Sequence, residues 1–376
     1  MKANIKTQVL KAALVNLVRI IPKKSLMMQT EDVLICAEND TITLTTTDLE
    51  TSMVVTISGK NCKVTVPGKI SIPAQFLLDI VKNIEDETVT LNDKPKTSVI
   101  IEWGRGNATI PVFEPNDFPK IILAGEDAGE FAIGAKDLQE GVLSVIYSMT
   151  DDPLRPALNG IFFEASEGAL ALASSDAARL AIANIPDVPA KGSMSFIAPE
   201  KAVRMIKNIF SEDDSVSIRL DDKAVTFVAK DITLTTKPVT EKFPQYKAVI
   251  PQNNDKTLTA NREALLDTLK RISICGDRSL RIVAFKITSG LMDATLEMSA
   301  ADVNFKTSGK ETMPVEFTGE NITIGIKASS LIEILSSMDS ETVKITMSTP
   351  SKAMVIIPES DNKITSQAIM MPVRFE

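Results

Sequence analysis

The sequence predicts an α+β fold made of three tandem copies of one domain, each with two helices packed on antiparallel sheet. Three recurrences predict it. A strand-like stretch ending in Asp occurs at 43–50 (TLTTTDLE), 171–180 (ALASSDAARL) and 296–305 (LEMSAADVNF), with Asp48, Asp176 and Asp302 spaced 128 and 126 residues apart. A helix-like block follows each, starting at Ile72, Ile197 and Ile326, and an amphipathic block precedes each, starting at Ile5, Ile133 and Ala260. The period is that of a whole domain, far longer than a solenoid repeat. The expected domains are 1–126, 127–254 and 255–376.

The opening block of each copy reads as a helix. In the first, Val9, Leu10, Ala13, Leu14, Leu17, Val18 and Ile21 share one face at i, i+3, i+4 spacing, while Lys11 and Arg19 point away. Alternation such as Thr41-Ile42-Thr43-Leu44-Thr45 then predicts strands with one buried face. Pro73 and Pro199 introduce the second helix in copies one and two, near its first turn. That helix ends at an acidic turn (85–87, 212–214, 339–341), and strands resume at 88–91 and 99–102, 216–220 and 225–228, 343–347 and 353–357. Each copy therefore reads helix, strands, helix, strands. Linkers are expected at 123–130 and 251–256, each preceded by a Phe-Pro pair, Phe118-Pro119 and Phe243-Pro244.

Bulk properties narrow the function classes. The 376 residues are 44% hydrophobic and 24% charged, the balance of a globular protein, with 41 basic against 49 acidic groups and a net charge of −8. No apolar run suits a signal segment or a membrane span, so a cytoplasmic protein without membrane contact is expected. Three scattered cysteines, Cys36, Cys62 and Cys275, suit neither a disulfide framework nor a zinc site, and no cofactor or metal is expected. The chain has no histidine. That removes the commonest general base and the Ser-His and Cys-His nucleophile systems, and no catalytic constellation is expected.

Charge is unevenly placed. The first 30 residues hold six basic groups (Lys2, Lys6, Lys11, Arg19, Lys23, Lys24) and no acid. Lys201, Arg204 and Lys207 form a stripe in copy two, and Arg262, Lys270 and Arg271 follow in copy three. A solvated helix face accounts for any one of these. Taken together they also fit positive helix faces turned toward a polyanion, bound through phosphates without base reading and weakened by salt.

Two motifs invite chemistry and receive a structural reading. The Gly-x-Gly at Trp103-Gly104-Arg105-Gly106 lies between strands and predicts a tight hairpin in place of a phosphate loop. The three aspartates recur in every copy, so they are expected to serve the fold by bonding backbone amides at a strand-end turn. A site confined to one place should lie where the copies differ. They differ at 154–160 (LRPALNG), after Asp176 (Ala177-Ala178-Arg179-Leu180-Ala181) and in the apolar tail from Ile369.

These residues carry a family resemblance. Thr45-Thr46-Thr47-Asp48-Leu49-Glu50, Arg155…Leu158-Asn159-Gly160, Asp176…Arg179-Leu180-Ala181, Phe243-Pro244…Tyr246…Val249…Pro251 and Met371-Pro372-Val373-Arg374-Phe375 resemble the bacterial replicative sliding clamp, the beta subunit of DNA polymerase III, over essentially the whole chain. The resemblance implies three DNA-clamp domains that dimerise into a six-domain ring around duplex DNA. Such a homodimer is a non-catalytic processivity factor of DNA replication that tethers the polymerase. The link to DNA is topological and sequence-independent. The implied DNA-facing residues are Lys11, Arg19, Lys23, Lys24, Arg155, Lys201, Arg204, Lys207, Lys270 and Arg271.

The resemblance also implies a cleft for short linear peptides from the replicative polymerase, the clamp loader, repair polymerases, ligase and mismatch-repair proteins. Its residues here would be Leu158, Ser175, Arg179, Leu180, Pro244, Val249, Leu280, Met370, Met371, Pro372, Val373 and Arg374, with Arg179 anchoring a polar or acidic end. Two departures stand out. Ala177-Ala178 replaces the family's small-residue-His, and Glu376 extends the usual apolar terminus. A histidine-free, carboxylate-dependent enzyme with an interdomain site is the alternative, and a structural or adhesive tandem-repeat protein a third.

Overall fold

The computed structural model describes residues 1–22, 27–93, 97–290 and 294–374. Among the described residues six α-helices recur in pairs: α1 (Thr7–Leu17) with α2 (Ala74–Val81), α3 (Ala135–Val145) with α4 (Glu200–Ile209), and α5 (Arg262–Ser273) with α6 (Ala328–Ser337). No helix is long and apolar enough to cross a membrane among the described residues. The chain forms two compact units. One comprises Met1–Gln139, Pro189–Met194 and Ala198–Pro238, the other Glu140–Val188, Ser195–Ile197 and Val239–Glu376, so the second copy contributes to both.

The first unit contains a five-stranded sheet, in spatial order Cys62–Val66, Lys2–Lys6, Thr88–Asn92, Ser98–Trp103 and Gly106–Pro111. It also contains an eight-stranded antiparallel sheet that runs through the boundary between copies one and two. There Thr51–Val55 pairs with Ile232–Thr236, Thr51 opposite Thr236. The second unit is organised on a ten-stranded sheet, and Arg179–Asn184 pairs there with Thr365–Met370, Arg179 opposite Met370. In both units the strand that leaves an Asp turn is joined to the last strand of the following copy.

The aspartates behave alike in all three places. Asp48 Oδ1 accepts from the amides of Glu50 (3.0 Å) and Thr51 (2.6 Å). Asp176 Oδ1 accepts from Ala178 and Arg179, both at 2.9 Å, and Asp302 Oδ1 from Asn304 (2.8 Å) and Phe305 (3.0 Å). One carboxylate oxygen thus closes each turn, letting Leu49 and Ala177 hold positive φ (79° and 74°). The Gly104 hairpin forms as the sequence predicts, with Trp103 paired to Gly106 and Gly104 at φ 35°.

One expectation is corrected. Each copy opens on a strand before its helix: Lys2–Lys6, Gly129–Gly134 and Lys256–Asn261. These strands are five or six residues long, so two or three alternating apolar positions (Ala3 and Ile5, both fully buried) merge into the helical pattern that follows. The linkers shrink accordingly. Helix α1 ends at Leu17, and Ile20 is buried in the tight turn beyond it. Pro73 and Pro199 stand at the N-cap, one residue ahead of the first turn, where the missing N–H leaves no helical bond unmade.

Candidate functional site

An open groove lies in the second unit. Its floor is a small apolar cluster of Ala173, Leu180, Ile182, Tyr246, Val355 and Ile369, all buried. Phe162 and Phe243 pack against it as stacked rings 5.0 Å apart, and the Tyr246 ring meets both edge-on. The Tyr246 hydroxyl donates to Glu164 at 2.8 Å, and Lys247 pairs with the same carboxylate at 2.6 Å. Burial, and then the hydrogen bond to Glu164, push the Tyr246 phenol above its ordinary value. Burial alone would raise Glu164, but the bonds from Lys247 and Tyr246 outweigh it and bring the carboxyl below its usual range. The aromatic wall is therefore locked from behind.

The cavity over this floor measures about 310 Å³. Seven of the sequence-predicted cleft residues line it: Leu158, Ser175, Arg179, Leu180, Pro244, Val249 and Met371. Val249 and Met371 leave 58% and 48% of their surface exposed, which is apolar area without an internal partner. Phe243, Tyr246, Ala353 and Ile369 also line it, beyond the residues the sequence predicts; the Phe-Pro-x-Tyr segment is the signal that points to the first two.

Five predicted residues do not line the cavity. Side chains alternate along the last strand, so Ile369 and Met371 face the groove while Met370, 2% exposed, enters the core of the third copy. After Met371 the chain turns away, and the Val373 amide donates to the Gly325 carbonyl at 2.8 Å. Pro372 and Val373 are half-buried there, and Arg374 is exposed. Leu280 is exposed on a turn that Asp277 closes. Phe375 and Glu376 lie outside the described residues.

Arg179 plays a different part from the one expected. Its Nε donates to Asp176 (2.9 Å), one terminal nitrogen donates to the Tyr147 carbonyl (2.7 Å), and the other pairs with Glu333 of α6 (2.5 Å). The guanidinium also lies over the Tyr147 ring. With its fork committed inside the protein, Arg179 gives the groove a stem and a rigid edge, and no free anchor for an acidic end.

The basic residues divide similarly. Lys201 donates to the Ile20 carbonyl (2.5 Å) and pairs with Asp48, so it is a strut joining α4 to the end of α1 and the first Asp turn. Its side chain stays about one-third exposed, 34%, beside these partners. Arg204 pairs with Glu200, Arg271 with Glu311, Lys270 with Asp267 and Arg155 with Asp152, all at exposed positions, and Lys11 caps the Lys82 carbonyl. Arg19 and Lys207 are exposed without an ion pair among the described residues, and Lys23 and Lys24 lie outside those residues.

Comparison with known proteins follows the same three-part division. Family models of the DNA polymerase III beta subunit match as the N-terminal domain over residues 1–122, the central domain over 132–245 and the C-terminal domain over 247–374. The chain belongs to the DNA polymerase III beta subunit family. It is 26% identical over 357 residues to the beta sliding clamp of Pseudomonas aeruginosa, covering 94% of this chain and 95% of that one. The Caulobacter vibrioides beta sliding clamp is 24% identical over the full length of both. Solved sliding clamps from Pseudomonas aeruginosa and Bacillus subtilis superpose over the whole of each chain with TM-scores of 0.92, at 25% and 19% identity. As a member of the beta subunit family the chain is a sliding clamp, a non-catalytic processivity factor built from three clamp domains. That excludes the carboxylate-dependent enzyme.

Proposed function

We propose that two copies of the chain close head to tail into a ring around duplex DNA, and that the groove of the second unit receives short peptides from the proteins the ring tethers. The observation that carries the ring is a pair of unused strand edges. Inside the chain, the strand after an Asp turn is twice joined to the last strand of the next copy. The third such strand, Thr307–Thr318, pairs over 307–315 only with Ala294–Asp302 among the described residues. The last strand of copy one, Gly106–Pro111, pairs only with Ser98–Trp103 among the described residues. Each edge is what the other lacks, so two chains satisfy both edges twice and close a two-fold ring.

Apolar side chains stand where this pairing would cover them. Val303 and Phe305 at the third Asp turn are 89% and 57% exposed, and Ile274, at the end of α5, is 78% exposed. Helices α4 and α6 each reach the preceding copy's Asp turn, through Lys201 and Glu333. Their counterpart in copy one is α2, whose Phe76 is 52% exposed and would meet the partner's third turn. A closed ring needs little affinity for DNA, which reconciles a net charge of −8 with duplex binding through the few unpaired cations such as Arg19 and Lys207. The DNA-facing role of the remaining basic residues, the boundaries 1–126, 127–254 and 255–376, and a cytoplasmic site of action form part of the same reading.

For the groove, the observation is self-sufficiency of its wall and insufficiency of its rim: rigid aromatics and Arg179 behind, uncovered Met371 and Val249 in front. Peptides with Leu, Met or Phe side chains suit it, from the replicative polymerase, the clamp loader, repair polymerases, ligase and mismatch-repair proteins. Loading onto nicked circular and onto linear DNA tests the ring. Protein held on circles through a high-salt wash and lost after linearisation supports topological binding, and equal loss from both forms contradicts it.

A further inference from the structure

We propose that the first unit carries a second docking site, for an acidic segment of a partner protein, at the place that repeats the groove of the second unit. The proposal starts from the internal repeat and rests on the reading of the apolar groove as a peptide site. The same four elements that frame that groove recur around a smaller cavity of about 50 Å³. Leu49 and Glu50 of the first Asp turn stand for Ala177 and Ala178. Ser52 stands for Leu180, Lys120 after Phe118-Pro119 for Gln245 after Phe243-Pro244, and Thr235 and Lys237 for Ile369 and Met371.

The exchange of chemistry is systematic. Hydroxyls at the floor and beside it are satisfied locally: Ser52 donates to Thr47 (2.7 Å), Thr51 and Thr236 share a bond of 3.1 Å, and Thr235 donates to the Ile122 carbonyl (2.8 Å). Rim positions become cations. Lys120, Lys223 and Lys237 are exposed around the mouth, and none makes an ion pair among the described residues. In a chain with an acidic excess, three exposed lysines stand about one small polar cavity with a single lining acid, Glu50; Asp221 offsets Lys223 in part, and Lys120 and Lys237 keep the local field positive. A cavity of that size has no room for a leucine side chain, whereas a carboxylate head fits and would find ammonium groups on its rim. The occupant that matches by charge and size is therefore an extended acidic peptide, the complement of the apolar one taken by the second unit.

The test uses the full-length chain and a fluorescein-labelled peptide of alternating Gly and Glu-Glu, read by anisotropy at low salt. Replacing Lys120, Lys223 and Lys237 together by Ala should weaken its binding about tenfold, the sum expected for three exposed pairs. Replacing Lys60, Lys63 and Lys69, exposed lysines of the same unit, should change it less than twofold. Equal losses from both triple variants would overturn the proposal, as would competition by inorganic phosphate or duplex DNA as effective as that by unlabelled peptide. A Leu-bearing peptide measured on the same proteins separates the two sites. If the Lys variant leaves it unchanged while Met371→Lys weakens it about tenfold, the apolar groove stands whatever becomes of the lysine site.

Discussion

The two grooves share a backbone plan and differ in what their side chains leave undone. At the first Asp turn, Thr and Ser hydroxyls bond to one another and to nearby carbonyls, and the cavity closes to about 50 Å³. At the second, Leu180, Ile369 and Met371 have no such partners to offer each other, and about 310 Å³ stays open. Polar groups that can satisfy each other at short range draw the walls together. Aliphatic groups held apart by a rigid aromatic wall remain an exposed apolar face, which is the state of a surface awaiting a partner. Repetition fixed the scaffold, and a few substitutions assigned one junction to the fold and the other to recognition.

The largest expected effect is on the wall itself. Tyr246→Ala should cost about 3–5 kcal/mol of stability, because a buried aromatic is lost and Glu164 keeps only Lys247. Chemical denaturation with circular dichroism measures it, and a loss below about 1 kcal/mol would mean the wall is not held as described. Next comes the polar unit. Burial is the main cause that lifts the Asp32 carboxyl to about 6, against a bond from Ser71 that lowers it. A folded value above the unfolded one means stability present at low pH and lost as pH rises through about 6. The shift corresponds to about 2–3 kcal/mol, and Asp32→Asn should remove that loss, flattening stability between about pH 4 and 7.

Exchanging one rim residue sharpens the contrast directly. Met371→Lys gives the apolar groove the side chain that Lys237 gives the other, and should weaken a Leu-bearing peptide about tenfold in calorimetry with little change in melting temperature. The smallest effect is Thr235→Ala, which leaves Thr226 without its hydroxyl partner and frees the Ile122 carbonyl. It should cost about 1 kcal/mol and open the first groove to solvent, seen as faster amide exchange at Ala124, whose N–H bonds Thr226.

Much of this architecture was legible in the sequence because it repeats. The Asp turns and the divergence after Asp176 follow from comparing copies, and the hairpin at Gly104 from the strands that flank its Gly-x-Gly. The opening strands were not, since five or six residues of alternation cannot be told from the start of an amphipathic helix. Met370 and Ile369 illustrate a second limit: the tail is apolar throughout, and only the strand's pleat decides which residue enters the core and which the groove. Lys201 and Arg179 illustrate a third. A basic residue reads the same in sequence whether it meets solvent, a partner or its own chain, and here both are spent on internal carboxylates and carbonyls.

The central claim is that the third Asp turn repeats, between two chains, the strand junction made twice within one. Light scattering on the chain at micromolar concentration, beside Ile274→Glu/Phe305→Glu, tests it most directly. The account predicts about twice the 40.8 kDa chain mass for the unaltered protein and a folded monomer for the double variant. An unaltered protein that scatters as a monomer, or a double variant that remains dimeric, would contradict it.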